Sequence, residues 1–76
     1  MEFTRNISKG TSGDDVFYIK KKLFELGMYE PKIKKISSRT FRNDSVLATK
    51  KFQTKYKLPV TGIINRATWD AIEKAT

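Results

Sequence analysis

The sequence predicts an all-α protein: a small three-helix orthogonal bundle with long ordered loops, its helices at about 14–26, 43–57 and 66–74. Three observations carry this. Val16, Ile19, Leu23 and Leu26 recur at spacings of three and four, the stripe of an amphipathic helix, and Ser45, Ala48, Thr49, Phe52 and Tyr56 do the same. No two stretches alternate strongly enough to pair as strands; Lys32-Ile33-Lys34 is the best short extended piece and has no counterpart. Finally, a short phrase occurs twice. Phe41-Arg42-Asn43-Asp44-Ser45 and Ile64-Asn65-Arg66-Ala67-Thr68 each give an apolar residue, a turn and a helix start, each after a helical stretch holding a shared pair, Ile19-Lys20 or Phe52-Gln53. Helices this short are marginal alone in water, so they must pack on one another.

Residues 1–7 are expected to be a polar lead-in and residues 8–76 the domain, with Phe3 and Ile7 the only apolar anchors before the first helix. Gly10 and Gly13 bracket a turn, and Ser12 or Asp14 is placed to cap the helix Asp14–Leu26. Gly27 ends it, because glycine accepts a positive φ without strain. Residues 28–40 form a loop: Pro31 forbids helix, and Ile33 and Ile36 are isolated among lysines. Asn43 or Asp44 caps the second helix, which ends before Leu58-Pro59 because a residue preceding proline avoids the helical region. Asn65 caps the third helix, and Ile64 with Trp69 forms a hydrophobic staple across its first turn. Trp69, Phe41 and Ile72 are assigned to the core.

Seventy-six residues make one domain with a single small core. Such a chain buries only about 60% of its unfolded surface, and scaling per residue gives a stability of roughly 4–11 kcal/mol. The absence of cysteine and histidine removes disulfides, zinc sites built on thiolate or imidazole, and the commonest nucleophiles and bases. Asp14-Asp15 suits a helix start, Asp70 and Glu73 are an ordinary exposed pair, and no converging carboxylates suggest a glycosidase. No catalytic site, metal or cofactor is expected. The net charge is +8, with +9 concentrated between Lys20 and Lys57. That imbalance favours an anionic partner: nucleic acid, anionic lipid or an anionic wall polymer.

The spacing of these residues resembles the peptidoglycan-binding domain of bacterial cell-wall hydrolases. Gly10, Gly13, Asp15, Val16, Ile19, Leu23, Leu26 and Gly27 match its first block, with Tyr29 one place beyond the usual aromatic. Phe41, Ser45, Ala48, Phe52 and Gln53 match the second, and Leu58, Val60, Gly62, Thr68 and Trp69 the third. The register runs without a gap from Phe41 to Trp69, and the resemblance covers about residues 8–73. Departures fall mainly in loops. Lys20 stands for a glutamine, Arg42 for a small residue, Ser38-Arg39 for an Asp-Gly pair, Thr61 for an aspartate, and Lys57 and Asn65 for glycines. Asparagine tolerates left-handed backbone better than most residues.

The resemblance implies a noncatalytic wall-binding module that holds a fused or partner hydrolase on peptidoglycan, outside the cell or in its wall, with any export signal in a parent chain. Its ligand, the stem peptides and amino sugars, is expected to meet loops and helix starts. The candidate contacts are Tyr29, Arg39, Arg42, Asn43, Gln53, Asn65 and Arg66. Arginines beside helix starts suit stem-peptide carboxylates, and equally suit plain solvation. Tyr29 and Tyr18 are candidate exposed aromatics for stacking on sugar. Gln53 either ties a loop to the bundle or reaches the ligand. Lys20-Lys21-Lys22 and Lys50-Lys51 are assigned to solvated helix backs, with some of their charge available to anionic wall polymers. Nothing demands more than a monomer. The runner-up is a nucleic-acid-binding, helix-turn-helix-like bundle. Against it, the third helix offers only Arg66 and Lys74 among Asp70 and Glu73.

Overall fold

The computed structural model describes all 76 residues. Three helices form, α1 (Asp14–Glu25), α2 (Asn43–Lys55) and α3 (Arg66–Ala75), with no strand beyond isolated bridges. Helix α1 packs against both α2 and α3. Val16, Ile19 and Leu23 of α1 meet Ala48 and Phe52 of α2, Trp69 and Ile72 of α3, and Phe41 and Ile64 in one buried cluster. The staple residues Ile64 and Trp69 are both buried in it. Leu26 packs against its edge, whereas Tyr56 is exposed at the end of α2 and stacks on Phe52 with ring centroids 4.2 Å apart.

Helices α1 and α2 end in the same way. After α1, Gly27 N–H donates to Phe24 O and Met28 N–H to Leu23 O, with Gly27 at φ 78. After α2, Lys57 N–H donates to Thr54 O and Leu58 N–H to Gln53 O, with Lys57 at φ 59. Both are Schellman motifs, in which a left-handed residue folds the chain back onto the last carbonyls. Helix α2 therefore stops at Lys55, two residues short of the position expected, because the left-handed Lys57 ends it before Pro59 acts. Asn65 is extended at φ −91, so of the two glycine replacements only Lys57 occupies left-handed backbone.

The helix starts differ from expectation as well. Asn65 caps α3, its side chain accepting from Thr68 N–H at 2.9 Å. Neither of the other two helices has a side-chain cap: Gly13 holds the N-cap position of α1 and Arg42 that of α2. Ser12 is instead hydrogen-bonded to Thr40 through their hydroxyls at 2.7 Å, and Asp14 pairs with Arg39. Asn43 and Asp44 lie inside the first turn of α2.

The segment before α1 is built into the molecule. Ile7 is fully buried and pairs with Ile64, each N–H donating to the other's carbonyl at 3.0 and 2.8 Å. Three residues on, Gly10 N–H donates to Phe41 O and Phe41 N–H to Thr11 O, both at 2.8 Å. Residues 7–12 thus strap together the chain just ahead of α2 and the chain just ahead of α3.

Candidate binding face

The start of α2 carries the densest group of sequence-predicted contacts. Its approach, residues 38–41, is held by backbone on one side and by a buried lysine on the other. Gly13 N–H donates to Arg39 O at 3.0 Å, alongside the Thr11 and Phe41 bonds. Lys20 Nζ donates to Ser38 O at 3.1 Å and to Thr40 O at 2.7 Å. Lys20 is only 3% exposed, which corrects its placement on a solvated helix back. Its position follows from the register: it is one residue past Ile19 of the core stripe, so its stem is covered and only its amine reaches the loop. Burial holds its pKa below the ordinary lysine value, with nearby Asp44 opposing that shift and Arg42 adding to it.

On this fixed approach Arg39, Arg42 and Asn43 are all exposed. Arg39 pairs with Asp14 at the start of α1, while no carboxylate is bonded to Arg42. Below them, Tyr29 is 7% exposed and its hydroxyl is bonded to Ser45 Oγ at 2.7 Å. Tyr29 is therefore no exposed platform: the Schellman turn at Gly27 directs the chain back, and Met28 and Tyr29 both enter the core. Burial pushes its pKa up to about 12, against a smaller opposing effect of the Ser45 bond. Tyr18 is half-buried, stacked on Trp69 with centroids 5.7 Å apart and donating to Glu73 Oε1 at 2.7 Å.

The start of α3 repeats this arrangement with a different side chain. Gln53 occupies the place on α2 that Lys20 has on α1 and is fully buried. Its Oε1 accepts from Thr61 N–H and Gly62 N–H at 3.0 Å each. Its Nε2 donates to Ile63 O and Thr68 Oγ1, each at 3.1 Å, and to Thr61 Oγ1 at 3.3 Å. With both ends of the amide occupied by protein, Gln53 has no group left for a ligand. Asn65 and Arg66 are exposed beside it, and Arg66 lies over the Phe3 ring at 5.7 Å.

The strap sets how these two helix starts stand to each other. Ile7 bonds the chain ahead of α3 and Gly10 the chain ahead of α2, and three residues of chain span at most about 11 Å. Two shallow grooves, about 440 and 470 Å³, flank the N-terminal segment. The first runs over α1 at Phe17, Tyr18 and Lys21; the second runs over α3 at Phe3, Arg66, Asp70 and Lys74. Of the candidates, Tyr18 lines the first groove and Arg66 the second.

Residues 12–72 match the family described as "Putative peptidoglycan binding domain". The chain belongs to the peptidoglycan-binding domain family. The crystal structure of the SleB N-terminal domain superposes on it with a TM-score of 0.85 and 31% identity, covering 97% of each chain. No curated protein sequence matches it. This is a peptidoglycan-binding module of the cell wall, and such a domain is noncatalytic. No group of His, Cys, Asp or Glu side chains is arranged to hold a metal, and no helix is long and apolar enough to cross a membrane.

Within this peptidoglycan-binding module, Lys20 is the buried tether that residue type alone misses. The signal was present in the repeated pairs: Ile19-Lys20 and Phe52-Gln53 each place a hydrogen-bonding side chain one residue past a buried one. Lysine in that register reads as surface charge, whereas glutamine reads as a buried tether.

Proposed function

We propose that the module grips peptidoglycan through the side chains displayed at the starts of α2 and α3, with Arg39, Arg42 and Arg66 meeting stem-peptide carboxylates and Asn43 and Asn65 meeting amide or amino-sugar groups. The observation that supports this most directly is the pairing of exposed guanidinium groups with an immobilised backbone. Lys20, Gly13 and Thr11 fix residues 38–41, so Arg42 is presented with little loop entropy left to lose on binding. A guanidinium fork then takes a carboxylate by two parallel bonds. The remaining basic surface adds nonspecific attraction to anionic wall polymers.

Held this way on an insoluble polymer, the module keeps a fused or partner hydrolase at high local concentration beside its substrate. It works as a monomer, outside the cell, with the hydrolase supplying the chemistry.

Co-sedimentation with purified, polymer-stripped peptidoglycan tests the reading, with a DNA gel shift as control. Arg42→Ala should lower wall affinity by about tenfold, the worth of one charged hydrogen-bonded pair, while leaving the thermal midpoint unchanged. Wild-type sedimentation by both Arg42→Ala and Arg66→Ala would remove the helix starts from the binding site. DNA binding that falls steeply with salt would redirect the assignment to nucleic acid.

A further inference from the structure

The outward face of α2 runs on from the helix start, where exposed Asn43 shares its register with Leu47 one turn later. Ser45, Ala48, Thr49, Phe52 and Gln53 are its buried positions, so Leu47, Lys50, Lys51 and Thr54 occupy the opposite side and are exposed. The connector after α2 packs against the flank of that face: a Cβ placed on Gly62 would lie 2.9 Å from Val46 Cγ1 and 3.1 Å from Lys50 Cε. Ile63, the next residue, therefore adjoins the same surface.

Two independent features coincide there. The first is charge. No carboxylate occurs from Ser45 to Trp69, while Lys50, Lys51, Lys55 and Lys57 are all exposed. The ion pairs of the molecule, Arg5 with Asp15, Lys22 with Glu73 and Arg39 with Asp14, involve none of these lysines. The second is apolar exposure. Leu47 is 49% exposed on this face, Ile63 beside it is 38% exposed, and Val60 of the connector is 52% exposed. Elsewhere, single exposed apolar side chains would need no explanation.

A soluble polyanion would account for the lysines but has no use for Leu47 or Ile63. A bilayer interface uses both features, since headgroup phosphates meet lysine amines while the headgroup–acyl boundary accepts apolar side chains. We infer that the outer face of α2, together with the connector 58–63, docks peripherally on an anionic lipid surface. Lys50, Lys51, Lys55 and Lys57 contact phosphates, their long stems letting the amines stay at headgroup level while Leu47 and Ile63 enter the boundary. Neither Arg42 nor Arg66 is among the docking residues.

Sedimentation with vesicles of phosphatidylcholine alone, and of phosphatidylcholine mixed with phosphatidylglycerol, tests this. The chain should bind only the mixed vesicles, and added salt should release it. Lys50→Gln with Lys51→Gln should lower that binding at least about tenfold, whereas Lys50→Arg with Lys51→Arg should preserve it. Leu47→Ser with Ile63→Ser should weaken vesicle binding several-fold yet leave binding to soluble inorganic polyphosphate unchanged. All four positions are exposed, and circular dichroism checks that the helices persist. Equal binding to both vesicle types overturns the inference. So does wild-type vesicle binding by the serine pair, which would identify a plain polyanion site. Sedimentation with polymer-stripped peptidoglycan should be unaffected by these variants, so this inference and the wall-binding reading fail separately.

Discussion

The Tyr29 hydroxyl sits against Ser45 Oγ in buried space between the end of α1 and the start of α2, and its pKa is pushed up to about 12 from 10.0. Because the folded value is the higher one, the stability that neutral Tyr29 contributes is complete below pH 10. It is lost as pH rises through about 12, where the unfolded chain has already released its proton. Urea denaturation at a series of alkaline pH values should therefore show stability falling by about 2–3 kcal/mol across that window. Tyr29→Phe, which cannot ionise, should flatten the fall at the cost of one neutral hydrogen bond. Lys57 is a second residue whose conformation, not its contacts, determines its effect. At φ 59 it carries the left-handed penalty of a side chain with a Cβ. Lys57→Gly should raise stability by about 0.5–1 kcal/mol, and Lys57→Ala should not, as read by thermal denaturation. The glycine that the family places at Lys57 hinted at this conformation, although the sequence put Lys57 inside the helix; Tyr29 gave no hint, because a tyrosine two residues past a helix-ending glycine looks like loop. What buries it is the direction of the Schellman turn, which depends on backbone geometry that composition does not encode.

Between elements, Lys20 and Gln53 do the same mechanical work with different chemistry. Each reaches from one helix to the chain that leads into the next. Gln53 pairs two N–H groups and two hydroxyls as well as a carbonyl, and its neutral amide is buried at small cost. Lys20 pairs two carbonyls, but its charged form is disfavoured by burial, which is why its pKa falls. Replacing each by methionine should therefore have unequal effects. Gln53→Met strands buried donors and should cost about 2–4 kcal/mol, since each unsatisfied group costs about 1–3. Lys20→Met also strands acceptors, yet relieves a desolvated charge, and should cost about half as much. Urea midpoints of the two variants give the order directly; a larger loss for Lys20→Met would mean its amine is worth more to the loop than its burial costs. The helices themselves were plain from the three-and-four spacing of Val16, Ile19 and Leu23 and of Ala48, Thr49 and Phe52. Their ends were less so, because α2 is terminated by Lys57, a residue with no intrinsic stop signal.

At the scale of the whole molecule, the strap formed by residues 7–12 decides whether α2 and α3 present one face or two unrelated ends. It contributes a fully buried isoleucine and backbone bonds to both approaches, while Phe3 packs on Trp69 with ring centroids 5.8 Å apart. Arg5 reinforces it, donating to Asp15 at 2.9 Å and holding that carboxyl below its usual pKa. The sequence marked Phe3 and Ile7 as anchors but not the strap itself, because single bridges such as Ile7 with Ile64 have no periodicity to detect. Its energetic weight is nonetheless large against a small core. Removing residues 1–7 deletes the burial of Ile7, two backbone hydrogen bonds and the cover over Trp69, together on the order of 4–6 kcal/mol. A 76-residue chain has only roughly 4–11 kcal/mol in total. A chain starting at Ser8 should therefore be partly or wholly unfolded at room temperature, with its thermal midpoint lowered by tens of degrees at about 4–8 °C per kcal/mol. Ile7→Ala should reproduce about half of that loss, while removing only Met1 and Glu2 should change little. If the chain starting at Ser8 instead melted within a few degrees of the full chain, the strap would be an ornament on a self-sufficient bundle, and the relative placement of Arg42 and Arg66 would have to be fixed by the α1 contacts alone.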